Sequence, residues 1–217
     1  MNRLAYLFLD MANASPLRNK MPDRREPVNI SNRAEENLKF IRDTMERSTS
    51  FTAVPGYGGM LMGATAIAAA MIANMQAYLV NSQAIWLGEA VLAFAIGLLA
   101  MWQKSKIAGQ SLVSAPARKF ALSFAPPLLA GVVIVLGLWL YEQYYVMAPV
   151  CIVCYGAAIV CGGAFSVRIV PIMGWLFMAF GAIAFLLPST YGNLMMGISF
   201  GALHLIFGAI IARKYGG

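Results

Sequence analysis

The stretch Ala84-Ile-Trp-Leu-Gly-Glu-Ala-Val-Leu-Ala-Phe-Ala-Ile-Gly-Leu-Leu-Ala-Met-Trp-Gln-Lys-Ser-Lys106 decides the fold. Its apolar run ends at Trp102, and Lys104 and Lys106 follow at once. A helix needs about 20 apolar residues to cross a bilayer. An aromatic residue at the edge and bases just beyond it mark a membrane–water interface. Working outward, five more runs of this kind appear. The six expected spans are 57–80, 84–102, 120–141, 149–167, 170–187 and 193–212. Composition agrees. The chain is 60% hydrophobic and 12% charged, against about 45–50% and 25% in soluble domains.

The connections alternate in charge. Asn81–Gln83 carries none, whereas 103–119 carries Lys104, Lys106, Arg118 and Lys119. The connection 142–148 has Glu142 and no base, the next holds Arg168, and 188–192 is neutral. Arg213 and Lys214 follow the sixth run. All bases therefore fall on one side, which the positive-inside rule makes the cytoplasm. The expected fold is an all-α integral membrane protein. It is a six-transmembrane-helix bundle with both termini cytoplasmic and little chain outside. Trp102, Trp139, Tyr141, Tyr144, Tyr145 and Tyr191 form the expected aromatic belt.

Residues 1–31 read as a flexible cytoplasmic tail, broken by Pro16, Pro22 and Pro27. Residues 32–56 read as an amphipathic cytoplasmic helix and linker ahead of the membrane domain, 57–217. Asn32 is the expected cap, and Ala34, Leu38, Ile41 and Met45 form one apolar face. That helix lies on the inner membrane surface or docks a cytosolic partner over residues 32–47. The net charge of +7 sits beside apolar runs and forms no block, so nucleic acid is not expected. The Phe51–Gly59 entry, with Pro55 and three glycines, reads as a hinge, a re-entrant lip or a plain connector.

Few residues can carry chemistry. Glu89 is the one acid well inside a run, about five residues or roughly 7–8 Å from the outer end. An intramembrane carboxylate is by default a functional candidate. Its two readings are proton or cation coupling from outside, and a structural bond to Asn74 or Gln76. His204 is the single histidine, placed for a proton relay or for an interhelical bond. It shares a stripe with Gly197, Gly201 and Gly208, the expected helix-packing positions. One histidine cannot supply both ligands of a haem, and no metal or cofactor is expected. Gly197-Ile-Ser-Phe-Gly201 matches GxSxG, but the nucleophile elbow needs a strand-to-helix turn. At 100° per residue, Ser199 and His204 point about 140° apart. A Tyr-Gly motif recurs at Tyr57, Tyr155 and Tyr191, as an old repeat or by chance.

Cys151, Cys154 and Cys161 are spaced to share one helix face. Cys151-Ile-Val-Cys154 forms a CxxC at an outer helix end, with Pro149 at the expected helix start. A first-turn thiol feels the helix dipole. This placement resembles the bacterial relatives of vitamin K epoxide reductase, and the resemblance implies a quinone-facing redox pair. That family carries a second cysteine pair in a loop, and the outer connections here hold none. Glu46–Gly59 and Gly201–Gly217 resemble small bacterial six-span inner-membrane proteins. That resemblance implies origin and location, but no activity.

Three functions are open on these grounds: an accessory or scaffold subunit of a membrane complex, a proton- or cation-coupled transporter or channel using Glu89, and a thiol–quinone oxidoreductase. No recognisable catalytic machinery argues for an enzyme. The expected partners are the lipid bilayer and a protein partner or second copy within it.

Overall fold

The computed structural model describes residues 30–48, 50–109 and 111–216. The tail expected over 1–31 lies outside them but for its last two residues. Two compact units divide at Thr44 and Met45. Helix α1, Ile30–Ser48, starts before Asn32, which is therefore helical rather than a cap. Leu38, Ile41 and Met45 are exposed on α1, as is Phe40.

Six helices of the second unit are long and apolar enough to cross a membrane, so the chain is a multi-pass membrane protein. The first five are α2 (Gly56–Asn74), α3 (Leu79–Ile107), α4 (Ala115–Leu140), α5 (Met147–Gly163) and α6 (Ile169–Leu186). The sixth, Ser189–Tyr215, is composite. It holds a 3₁₀ turn, α7 (Gly192–Met196), a π-helical segment (Gly197–Leu203) and α8 (His204–Tyr215).

The expected boundaries shift in two places that matter. The first turn lies at 75–78, so Asn81–Gln83 is helix rather than connection. Hydropathy reads that trio as a break because it is polar. Two of the three face protein: Ser82 and Gln83 are buried, while Asn81 is exposed. The third span starts at Ala115, ahead of Phe120. Arg118 and Lys119 thus ride in its first turns, from which long side chains reach the interface. At its other end α4 closes in a Schellman turn. Gln143 N–H donates to Leu138 O (2.8 Å) and Glu142 takes φ 56°.

Packing sorts the spans into two sets of three. α2 lies between α3 and the sixth span, and α5 lies between α4 and α6; α5 and α6 also meet the sixth span. Half of the apolar stretch of the fourth and sixth spans is buried, against 6% in α3 and α4. The inner pairs approach backbone to backbone because glycine leaves room. A Cβ on Gly63 would lie 2.7 Å from Gly201 O, and one on Gly208 2.7 Å from Met60 N. Gly197 and Gly201 leave room for α2 side chains instead, a Cβ there lying 3.0 Å from Ala70 Cβ and 2.6 Å from Ile67 Cγ1. Gly156 and Gly174 bring the backbones of α5 and α6 together, where each Cβ would stand 2.8 Å from the other's carbonyl oxygen.

The basic end is tied by a strap. Phe51, Ala53 and Pro55 are buried while Thr52 and Val54 are only partly so, the alternation of an extended chain. Phe51 N–H donates to Phe165 O (2.8 Å), and Ser166 Oγ donates back to Phe51 O (2.7 Å). The Phe51 ring lies 5.0 Å from that of Phe120. Lys104 Nζ donates to Val54 O (2.9 Å), to Tyr215 O (3.1 Å) and to Gly216 O. The hinge, lip or connector expected here is thus an anchored extended segment.

Gly156→Val should lower thermal stability in detergent by about 1–3 kcal/mol, because the added volume meets backbone. Gly137→Val, where a Cβ meets nothing within 4 Å, should leave the melting temperature unchanged.

Candidate functional site

Among the described residues, polar side chains of different spans meet one another in three places. The first joins α3 to α2: Glu89 Oε1 lies 2.8 Å from Thr65 Oγ1. The expected partners were Asn74 and Gln76; Gln76 instead donates to Ile72 O (3.1 Å). The reason is register. In an antiparallel hairpin, residues equidistant from the turn face each other. A turn at 81–83 sets Glu89 opposite residue 75 or so, whereas the observed turn at 75–78 sets it opposite Thr65. Glu89 also lies deeper than expected, ten residues or about 15 Å into its helix. It is buried.

The second contact joins α8 to α5. His204 Nδ1 lies 2.9 Å from Phe200 O, and Nε2 lies 2.8 Å from Tyr155 Oη. A carbonyl only accepts, so Nδ1 carries the hydrogen. In the neutral ring Nε2 accepts from the Tyr155 hydroxyl, so both nitrogens are engaged. Phe177 and Phe200 complete the cage, their ring centroids 5.4 and 6.2 Å from that of the imidazole. Ser199 does not pair with His204: its Oγ is buried with no hydrogen-bond partner among the described residues. The π-helical winding there replaces the 100° step assumed from the sequence.

The third contact lies toward the non-basic end. Ser82 Oγ and Trp86 Nε1 both donate to Asn193 Oδ1, each at 2.9 Å. An indole only donates, so the Asn193 atom it meets must be the carbonyl oxygen. Asn193 lines a cavity of ≈ 20 Å³ with Gln83, Tyr144, Tyr145 and Ser189.

The Cys151 and Cys154 thiols lie close enough on α5 to interact electrostatically, and all three cysteines are free thiols. Cys151 packs against the core, Cys154 meets α4 at Gly131, and Cys161 is exposed. Met147 starts α5 two residues before Pro149, so Cys151 falls in the second turn rather than the first. The three Tyr-Gly motifs share no environment. Tyr57 and Tyr191 are exposed, and Tyr155 stands within the aromatic cage. Among the described residues no group of three His, Cys, Asp or Glu side chains could hold a metal ion.

Sequence reading missed Thr65, Tyr155, Asn193 and the Ser82–Trp86 pair. Each is an ordinary residue made polar glue by the helix opposite. Asn193 beside a helix start and Ser82 in a supposed turn both read as turn residues. No protein-family model, curated protein or solved structure matches the chain.

Tyr155→Phe should destabilise the folded chain by about 1–3 kcal/mol, since it leaves a buried imidazole nitrogen without its donor. Thermal unfolding in detergent reads this, and an unchanged midpoint would mean that the contact holds nothing.

Proposed function

We propose that the chain is an accessory or scaffold subunit of a bacterial inner-membrane complex, with both termini in the cytoplasm. One observation carries the reading. Glu89, His204, Ser82, Trp86 and Asn193 are engaged in holding helices to one another, while Leu38, Phe40 and Ile41 are exposed on α1. A machine built to turn over substrate needs polar groups facing a ligand. A scaffold needs a rigid bundle and a docking element. The glycine-closed helix pairs supply the first, and α1 supplies the second. The bacterial setting rests on the sequence resemblance, and the cytoplasmic termini on the one-sided bases.

A proton- or cation-coupled transporter is the second reading. It is favoured by the protein-facing side of α3, where Ser82, Gln83, Trp86 and Glu89 are buried in place of aliphatic residues.

Gentle extraction of the tagged chain from its native membrane should yield a stoichiometric protein partner. Deletion of residues 1–48 should release it. Recovery of the intact chain as a monomer or homo-oligomer would count against the scaffold. For the second reading, Glu89→Gln should abolish proton-coupled flux in vesicles while the chain still folds.

A further inference from the structure

Thr65 Oγ1 stands between acceptors. It lies 2.8 Å from Glu89 Oε1, 2.9 Å from Met62 O and 3.2 Å from Leu61 O. A hydroxyl has one proton, so it cannot donate to all three. Two arrangements satisfy the carboxyl without moving a heavy atom. With the carboxylate ionised, Thr65 donates to it. With the carboxyl protonated, the Glu89 O–H donates to Thr65 Oγ1, and the Thr65 proton turns to Met62 O. The Thr65 rotor therefore serves both states of Glu89.

Other charges stand far off. The titratable side chain of α2 is Tyr57, exposed near its start. Lys104 and Lys106 lie at least about 22 Å further along α3, and the 3₁₀ turn 144–146 brings Tyr144 and Tyr145 toward the non-basic end. α7 carries no titratable side chain. A proton arriving at Glu89 is thus the local charge change.

Between Glu89 and the non-basic end, the buried side of α3 carries residues with polar groups. Trp86, Gln83 and Ser82 continue the buried side of α3 toward the non-basic end. Gln83 is only 8% exposed, and its carboxamide bonds to no described residue. With Asn193 it lines the ≈ 20 Å³ cavity. A cavity of that size holds one water, provided two to four polar groups surround it. Gln83, Asn193, Tyr144, Tyr145 and Ser189 can supply them. Gln83 to Glu89 is about 9 Å along the helix.

We propose that Glu89 is a proton-binding site loaded from the non-basic face of the membrane through the cavity between Gln83 and Asn193. On release, the Glu89 O–H bond breaks, water entering from the cavity takes the proton toward the non-basic face, and the Thr65 hydroxyl swings from Met62 O to the carboxylate. Loading reverses each movement. The inference deepens the transporter reading and does not depend on the scaffold.

The test is infrared difference spectroscopy on the full chain in lipid vesicles, with pH set separately on each side. The carbonyl stretch of a protonated carboxyl should be present and should vanish in Glu89→Gln. Raising the pH on the non-basic side alone should remove it, with protonation falling about tenfold per pH unit past the midpoint. Raising it on the basic side alone should leave it. Gln83→Leu should slow the response severalfold. The sided measurement on the unaltered chain suffices should that variant misfold. No such band, a band unmoved by pH, or one answering only to the basic side overturns the proposal. A responsive band without flux would remove transport and keep the site.

Discussion

The contact on which the bundle depends is the one between its first and last spans. α2 and the sixth span meet through Gly63, Gly201 and Gly208, where any side chain would strike backbone or a tightly held neighbour. In lipid the hydrophobic effect does not press helices together, so close packing must do so. Joining the ends of the chain seats α5 and α6 against a finished surface. It leaves α3 and α4 at the periphery, each resting mainly on one neighbour.

That geometry also fixes where polarity is tolerated. A polar side chain in a span is costly unless it finds a partner on the next helix. Glu89 finds Thr65, His204 finds Tyr155, and Asn193 takes Ser82 and Trp86. These bonds cross between helices that glycine has already brought close. Packing and polar pairing thus reinforce each other. The π-helical turn falls where both meet, between Gly197 on α2 and His204 on α5.

The spans were legible because lipid imposes a blunt rule on length and hydropathy, read at Ala84–Lys106 as plainly as anywhere. The site was less so. A polar trio such as Asn81–Gln83 looks alike in a turn and on a buried helix face. Misplacing one turn by a few residues moves its cross-helix partners by twice as many. That doubling is why Glu89 was set against Asn74 and Gln76. The stripe of Gly197, Gly201 and Gly208 was visible from spacing alone, because helical periodicity needs no boundary. The aromatic partner of His204 was not, since Tyr155 lies forty-nine residues away.

The strap has a mechanical consequence. Phe51 is held by paired bonds to the 165–166 turn and by its ring on Phe120, upstream of where α2 begins. Tension drawn along the chain from α1 would therefore load that turn and the start of α4 before it reached the first span. The paired bonds at Phe51 act as a strain relief, like the clamp on a cable before its plug. From Phe120 the rings continue through Phe124 and Tyr155 to His204. The clamp and the middle of the bundle are thus joined by a continuous row of aromatic contacts.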